Sequence, residues 1–316
     1  MKHTSNLFRA LSRPELDTLA AACFNANILR SELLEGGMFN TTYLITLADG
    51  EKIVLRAGPV NRHLLIPFEE NLMNAERHVY ERCRAVGVPV PEVLACDTTK
   101  QLIDRDYMIT AYINSTVLAK LGADASAKQK IYHDVGRYAK QMHSVENDRF
   151  GRVSDVLRGG GYAKWSDCLQ AEISCFTEKA AQTRLYSAKR LRRIEQIMPQ
   201  YAQLLDEIEA PKLTHADLWD GNILVSGGDT VAAVIDADRA IYGDPEFEFA
   251  AGWITSDAFF QGYGQRPPQD DAQAIRQKIY QLLYRLLDSY IFLVQYNNRP
   301  KSRANQMAAL RLTKNL

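Results

Sequence analysis

LTHADLWDGNILV, residues 213–225, is the stretch on which the fold turns. It sets His215, Asp217 and Asn222 in a polar, glycine-containing loop that runs straight into the apolar residues Ile223, Leu224 and Val225. Ser226-Gly227-Gly228-Asp229 then reads as a turn. A second apolar run, residues 231–235, ends on Asp236, eleven residues beyond Val225. Two strands joined by that turn make a hairpin, which brings Asp236 back beside Asn222. A bare H-x-D-x-x-x-x-N spacing also arises by chance, with Asp217 and Asn222 as ordinary turn caps. The strand that follows the loop, and the aspartate at the end of the next strand, make the pattern specific.

The texture differs on the two sides of this hairpin. Toward the N-terminus, residues 13–34 read as largely helical. Alternating runs at 41–47 and 52–56 then flank an Asp49-Gly50 turn. Leu72, Ala75, Val79, Cys83 and Val86 recur at helical spacing, and Gly87 ends that run. Pro89 and Pro91 enforce extended chain before strands near 93–95 and 107–113. Beyond residue 114, helices are expected at 125–143, 165–199 and 269–297. The fold class is therefore α+β, with a small antiparallel-sheet lobe over residues 1–112 and a larger, mainly helical lobe over residues 113–316.

Composition narrows the function. The 316 residues carry 38 Lys+Arg and 38 Asp+Glu, so no global field draws the chain to nucleic acid or an anionic membrane. The basic run AKRLRR, residues 188–193, reads as a solvated helix face. Five scattered cysteines show no C-x-x-C pair, which predicts reduced, mostly buried thiols. The longest apolar stretch, LLYRLLDSYIFLV, is interrupted by Arg285 and Asp288 and falls short of the ~20 residues a membrane span needs. The first residues lack the pattern of a secretory signal, so a cytoplasmic protein without membrane or nucleic-acid partners is expected.

The loop and hairpin together hold what phosphoryl transfer from ATP requires. One carboxylate must orient the acceptor hydroxyl and take its proton. A second carboxylate and an amide oxygen must hold Mg²⁺ on the phosphates. Asp217 suits the first task and Asn222 with Asp236 the second, while His215 would hold the loop backbone. The sequence lacks G-x-x-x-x-G-K-[ST], so a Walker-type ATPase is not supported.

With HADLWDGN at residues 215–222, Ile235-Asp236, and GDPEFEFA at residues 243–250, the sequence is similar to the aminoglycoside phosphotransferase and choline/fructosamine kinase superfamily. These are small-molecule kinases related in fold to protein kinases, and the resemblance runs from about Leu34 through most of the chain. It implies that Asp217 is the catalytic base, that Asn222 and Asp236 bind metal, and that His215 and Asp244 give structural support. Ala216 stands where glycine is usual, which excludes a backbone conformation only glycine tolerates but removes no chemical group. Glu248 replaces the usual aspartate at a structural position.

The resemblance also implies a nucleotide site. Gly36, Gly37 and Asn40 would cover the phosphates. Arg56 would supply the cation with Glu76 as its partner; Lys52, on the same strand face, is the competing assignment. Ala111 and Ile113 would meet adenine through their backbones, with Ile235 on the opposite wall. The implied cofactors are ATP and Mg²⁺.

The expected partner is a hydroxyl-bearing, cationic small molecule: an aminoglycoside, a glycated amine or an amino-alcohol. Nine acidic residues against Lys212 and Arg239 between residues 212 and 262 favour a cation, although several of those carboxylates already have other roles. Trp219, Asp220, Asp257, Tyr263 and Asp288 are the candidate acceptor-binding residues, with Tyr290 beside them. HADLWDGN lies closer in texture to fructosamine-kinase-like sequences than to aminoglycoside enzymes. Two alternatives remain: a nucleotide-binding regulator without turnover, and a protein kinase, which the absence of a D-F-G…A-P-E segment after Asp236 disfavours.

Overall fold

The structure is a computed structural model and describes residues 5–35 and 37–316. Its first helix, α1 (Arg13–Phe24), begins at a capping box. The Ser12 hydroxyl accepts from the Glu15 amide, and the Glu15 carboxylate accepts from the Ser12 amide. The expectation of helix through residue 34 is corrected here, because α1 stops at Asn25, which turns left-handed at φ 50°. Residues 28–33 form a strand instead, and the Ala48 amide holds the intervening turn through the carbonyl of Asn27.

Five strands follow in this lobe: β1 (Ile28–Leu33), β2 (Thr41–Leu47), β3 (Lys52–Ala57), β4 (Val93–Asp97) and β5 (Tyr107–Ala111). They make one antiparallel sheet in the order β1-β2-β3-β5-β4. Helix α2 (Leu72–Ala85) lies between β3 and β4 in the chain. One sheet face buries Ile45, Leu47, Ile53 and Leu55 against Leu16 and Leu19 of α1.

The second lobe is anchored by α3 (Ala125–Met142) and two three-stranded sheets. Their strands are β6 (Thr116–Val117), β7 (Gly151–Arg152), β8 (Lys212–Thr214), β9 (Ile223–Ser226), β10 (Thr230–Val234) and β11 (Ile241–Gly243). The sheet orders are β10-β9-β6 and β7-β11-β8. The region expected as long helices over 165–199 divides into Trp165–Gln182, Ala188–Glu195 and Ile197–Gln200, with Arg184 turning left-handed at φ 54° between the first two. In the second piece Leu191 and Ile194 are buried while the basic side chains face outward. Asp271–Tyr290 is followed by a wider π-helical turn and by a last helix, Arg299–Asn315, which the sequence reading did not anticipate.

One core crosses between the lobes. Val79, Tyr80 and Cys83 of α2 pack with Ile131 and Val135 of α3 and with Ile223 and Val234 of the β9–β10 hairpin. The Val234 amide also donates to the carbonyl of Pro89. This places α2, which carries Glu76, against the hairpin whose strands lie between Asn222 and Asp236. Among the described residues, no helix is long and apolar enough to cross a membrane.

Candidate active site

The hairpin forms as its sequence predicts. Val234 pairs with Ile223, and the next amide, of Ile235, donates to the carbonyl of Asn222 at 2.9 Å. Asp236 therefore leaves β10 beside the end of the loop that holds Asp217. Its own backbone is left-handed, at φ 63°. Such a conformation strains an L-residue, and here the Tyr80 hydroxyl steadies it by accepting from the Asp236 amide at 3.1 Å.

Arg56 joins this corner to α2. Its Nη1 donates to both carboxylate oxygens of Glu76, at 2.5 and 2.6 Å, and its Nη2 donates to Asp236 Oδ1 at 2.5 Å. Glu76 is 1% exposed, and Tyr80 adds a hydroxyl donor to the same carboxylate. Burial works against the charge on Arg56, but Glu76 and then Asp236 outweigh it and hold the guanidinium well above its ordinary pKa. A buried anion that accepts from both Arg56 and Tyr80 is a fixed anchor for the cation. Lys52 sits at the opposite end of β3, paired across from Thr46 and lying over the Tyr112 ring. Four residues of strand span about 13 Å, so Lys52 is remote from this corner.

Asn222 spends its amide nitrogen on Asp217, donating to the carbonyl oxygen at 2.9 Å and to Oδ2 at 3.0 Å. This orients the Asp217 carboxylate and leaves the Asn222 Oδ1 acceptor unused by that pair. Asp217 is partly buried, and its pKa is pushed up to about 6. Burial is the main cause; Arg239 opposes the shift and the Asp236 charge adds to it.

The rest of the loop is held from below. The His215 amide donates to Glu248 Oε2 at 2.7 Å, and its Nε2 lies 3.0 Å from the Ile235 carbonyl. His143 approaches the same Glu248 oxygen at 3.6 Å. Asp244 accepts from the Tyr280 hydroxyl at 2.7 Å and from the Glu246 amide at 2.9 Å. Ala216 revises one expectation: it keeps a left-handed φ of 61°, while Tyr284 donates its hydroxyl to the Ala216 carbonyl. Alanine thus occupies a conformation that glycine adopts more easily, at a cost of roughly 1–2 kcal/mol.

A Cβ at Gly37 would come 2.8 Å from the carbonyl oxygen of Asn40, so only glycine permits this approach. Asn40 is buried, and its side-chain oxygen lacks a partner. Gly36 lies outside the described residues. At the connector, the Ala111 amide donates to the Glu92 carbonyl, and the Ile113 carbonyl accepts from the Ser115 hydroxyl.

The acceptor candidates separate sharply. Trp219 is 43% exposed and lies 6.4 Å, ring to ring, from the equally exposed Trp253. A Cβ at Gly221 would come within 2.2 Å of the Trp219 ring, so glycine lets the indole lie against the loop. Asp220 accepts from the Tyr132 hydroxyl at 2.9 Å. Asp288 lies 3.7 Å from Arg239, and burial raises its pKa while Arg239 holds it down. Tyr263 is buried, with its hydroxyl 2.8 Å from His143 Nδ1, so it belongs to the core. Asp257 is highly exposed and engaged with Arg266. Tyr290 is buried too, donating to the Leu64 carbonyl.

Sequence reading missed Arg239, Tyr80 and Trp253. Arg239 stands three residues after Asp236, a position from which its charge reaches both Asp217 and Asp288. That spacing was the available signal. Tyr80 lies one helical turn after Glu76, which was a further clue. Nothing in the sequence marked Trp253 as exposed.

Metal fit follows from the donors. Asp236 has one oxygen on Arg56, and Asn222 retains its amide oxygen after donating to Asp217. A carboxylate and an amide oxygen suit a hard cation that completes its shell with phosphate oxygens and water. Among the described residues there is no cluster of three His, Cys, Asp or Glu side chains able to hold a metal without such help.

A model of the phosphotransferase enzyme family matches residues 31–281. A Staphylococcus aureus protein named as a probable ketoamine kinase is 24% identical over 229 residues, covering 68% of this chain and 73% of that protein. Among solved structures, a candidate fructosamine-3-kinase from Thermobifida fusca superposes with a TM-score of 0.68 at 20% identity, covering 95% of this chain and 100% of the other. A thermostable mutant of aminoglycoside phosphotransferase APH(4)-Ia gives 0.69 at 20% identity, covering 95% and 98%. The same enzyme is also known in a ternary complex with AMP-PNP and hygromycin B.

Proposed function

This chain belongs to the phosphotransferase enzyme family, and on that premise we propose that it transfers the γ-phosphoryl group of ATP to a hydroxyl of a cationic small molecule. The observation that carries the reading is the bridge made by Arg56, which binds Glu76 of α2 and Asp236 of the catalytic hairpin at once. It fixes a cation and a carboxylate side by side at one corner, where nucleotide phosphates would lie.

In this reading Asp217 accepts a hydrogen bond from the acceptor hydroxyl and takes its proton as the new P–O bond forms. A carboxylate with a pKa of about 6 is mostly ionised at pH 7 and remains basic enough to share that proton. Asn222 keeps Asp217 aimed, and Arg239 stabilises its ionised form. Arg56 holds the phosphates, and the amides of the turn at Gly37 cover them. Asn222 and Asp236 would hold Mg²⁺, which offsets phosphate charge when bound. Most of the acceleration comes from alignment and electrostatics, without a covalent intermediate.

For the acceptor we favour a glycated amine or an aminoglycoside. Trp219 and Trp253 offer exposed aromatic faces for a sugar ring or an ammonium group, and Asp220 lies next to Trp219 in the chain. ATP consumption by the purified protein, screened over glycated amines, aminoglycosides and amino-alcohols and followed by product mass, tests this. A product heavier by one phosphoryl group is expected from at least one class. Mg-dependent nucleotide binding with no turnover on any of them would favour a regulatory role instead.

A further inference from the structure

Apart from the catalytic corner, the molecule contains a cavity of about 400 Å³ behind the loop that carries Arg239. Small-molecule sites commonly span roughly 300–1,000 Å³. Its wall is drawn from four parts of the fold. Phe68 comes from the segment leading into α2, Arg152 from β7, and Glu172 with Phe176 from helix Trp165–Gln182. Leu283 and Leu287 come from helix Asp271–Tyr290.

The charged groups in that wall are already satisfied. Arg152 Nε and Nη2 donate to the two oxygens of Glu172 at 2.5 and 2.9 Å, and Nη1 donates to the Arg239 carbonyl at 2.7 Å. At the rim, Arg158 is engaged by Asp155 and by the Pro67 carbonyl. Among the described residues, none of the buried polar side-chain atoms without a partner belongs to this wall. A charged ligand would have to break existing bonds to find a partner of its own, whereas an uncharged one only covers apolar surface.

We propose that this cavity is a second small-molecule site, separate from the nucleotide and acceptor sites, which takes a compact, uncharged, largely apolar ligand between Phe68, Phe176 and Leu287. Its occupant would rest against Arg152, the side chain that holds the Arg239 carbonyl in place.

The test uses the full chain and two fluorescent probes that brighten in apolar surroundings: N-phenyl-1-naphthylamine, which is uncharged, and 1-anilinonaphthalene-8-sulfonate, which is anionic. The uncharged probe is expected to bind saturably at one equivalent, and excess Mg·AMP-PNP should leave that binding unchanged. Ala171 and Cys175 line the cavity, and Ala171→Trp or Cys175→Phe would fill part of it. Each should weaken the uncharged probe at least tenfold. Unchanged nucleotide binding and a cooperative melt in each variant show that it is folded, and two independent positions guard against one failing to fold. Absence of saturable binding, displacement by nucleotide, unchanged affinity in the folded variants, or tighter binding of the anionic probe would each overturn the proposal. Because none of these readouts depends on turnover, the result stands apart from the identity of the acceptor.

Discussion

The two sides of the catalytic corner are built on opposite terms. On the proposed phosphate side, Arg56, Glu76, Tyr80 and Asp236 form one closed set of hydrogen bonds, and the shared core of α2, α3 and the hairpin stands behind them. On the proposed acceptor side, Trp219 and Trp253 lie open to solvent, and Asp220 is held by one tyrosine. A hydrogen-bonded, largely buried half suits the proposed nucleotide. An open aromatic half suits the proposed acceptor. The contrast predicts that substitutions on the first side damage folding or chemistry, and that those on the second change only which molecule is accepted.

The largest effect should come from Asp217→Asn, which removes the proton acceptor and keeps the shape. Turnover should fall by about 10²–10⁴-fold while nucleotide affinity is nearly retained. The same variant should melt at a higher temperature near pH 7. A carboxyl group whose folded pKa is raised from 3.8 to about 6 binds its proton more tightly when folded, so stability falls as the pH rises through that window and the full cost is present at pH 7. Equal melting temperatures at pH 7 would show that Asp217 is not desolvated.

Next comes Arg56→Met, which strands Glu76 as an unpaired buried carboxylate. Denaturant unfolding should register a loss of about 3–5 kcal/mol. Arg56→Lys should recover much of that stability but less of the nucleotide affinity, because one ammonium does not reproduce the fork between Glu76 and Asp236. Full activity in Arg56→Met would mean that another cation serves the phosphates.

A smaller effect is expected in the pH profile. The proposed base acts in its ionised form, so kcat/KM should decline as the pH falls through about 6. Arg239 lowers that pKa, so Arg239→Gln should move the acid limb to higher pH, and a profile that stays in place would remove Arg239 from the account.

These expectations also show what the sequence made readable. Residues 213–236 could be placed because two short strands and a turn force Asn222 and Asp236 together, whatever the rest of the chain does. Arg56 and Glu76 could be paired only through the family resemblance, because a glutamate inside a helix reads equally well as a solvated residue. Tyr263 misled because an aromatic side chain carries the same letter in a core as in a pocket, and only the contact with His143 separates the two. Trp253 was invisible for the converse reason, its exposure being set by packing far along the chain. The helix expected to reach residue 34 ended early because Asn25 accepts a left-handed turn and β2 offers residues 28–33 a partner.

The open side should respond most mildly. Trp219→Ala and Trp253→Ala should each raise the acceptor KM about 2–10-fold, leave the KM for ATP unchanged, and alter stability little. A change in the ATP KM would erase the division between the two halves. Smallest of all, Ala216→Gly should stabilise the fold by about 1 kcal/mol by relieving the left-handed alanine, measurable as a shift in the urea midpoint.

The central claim is that Asp236 and Asn222 face one phosphate-bound cation, and calorimetric titration of AMP-PNP with and without Mg²⁺ tests it most directly. The native chain should bind the nucleotide at least tenfold more tightly with Mg²⁺, and Asp236→Asn should lose most of that dependence while remaining folded. Undiminished Mg²⁺ dependence in Asp236→Asn would contradict the account.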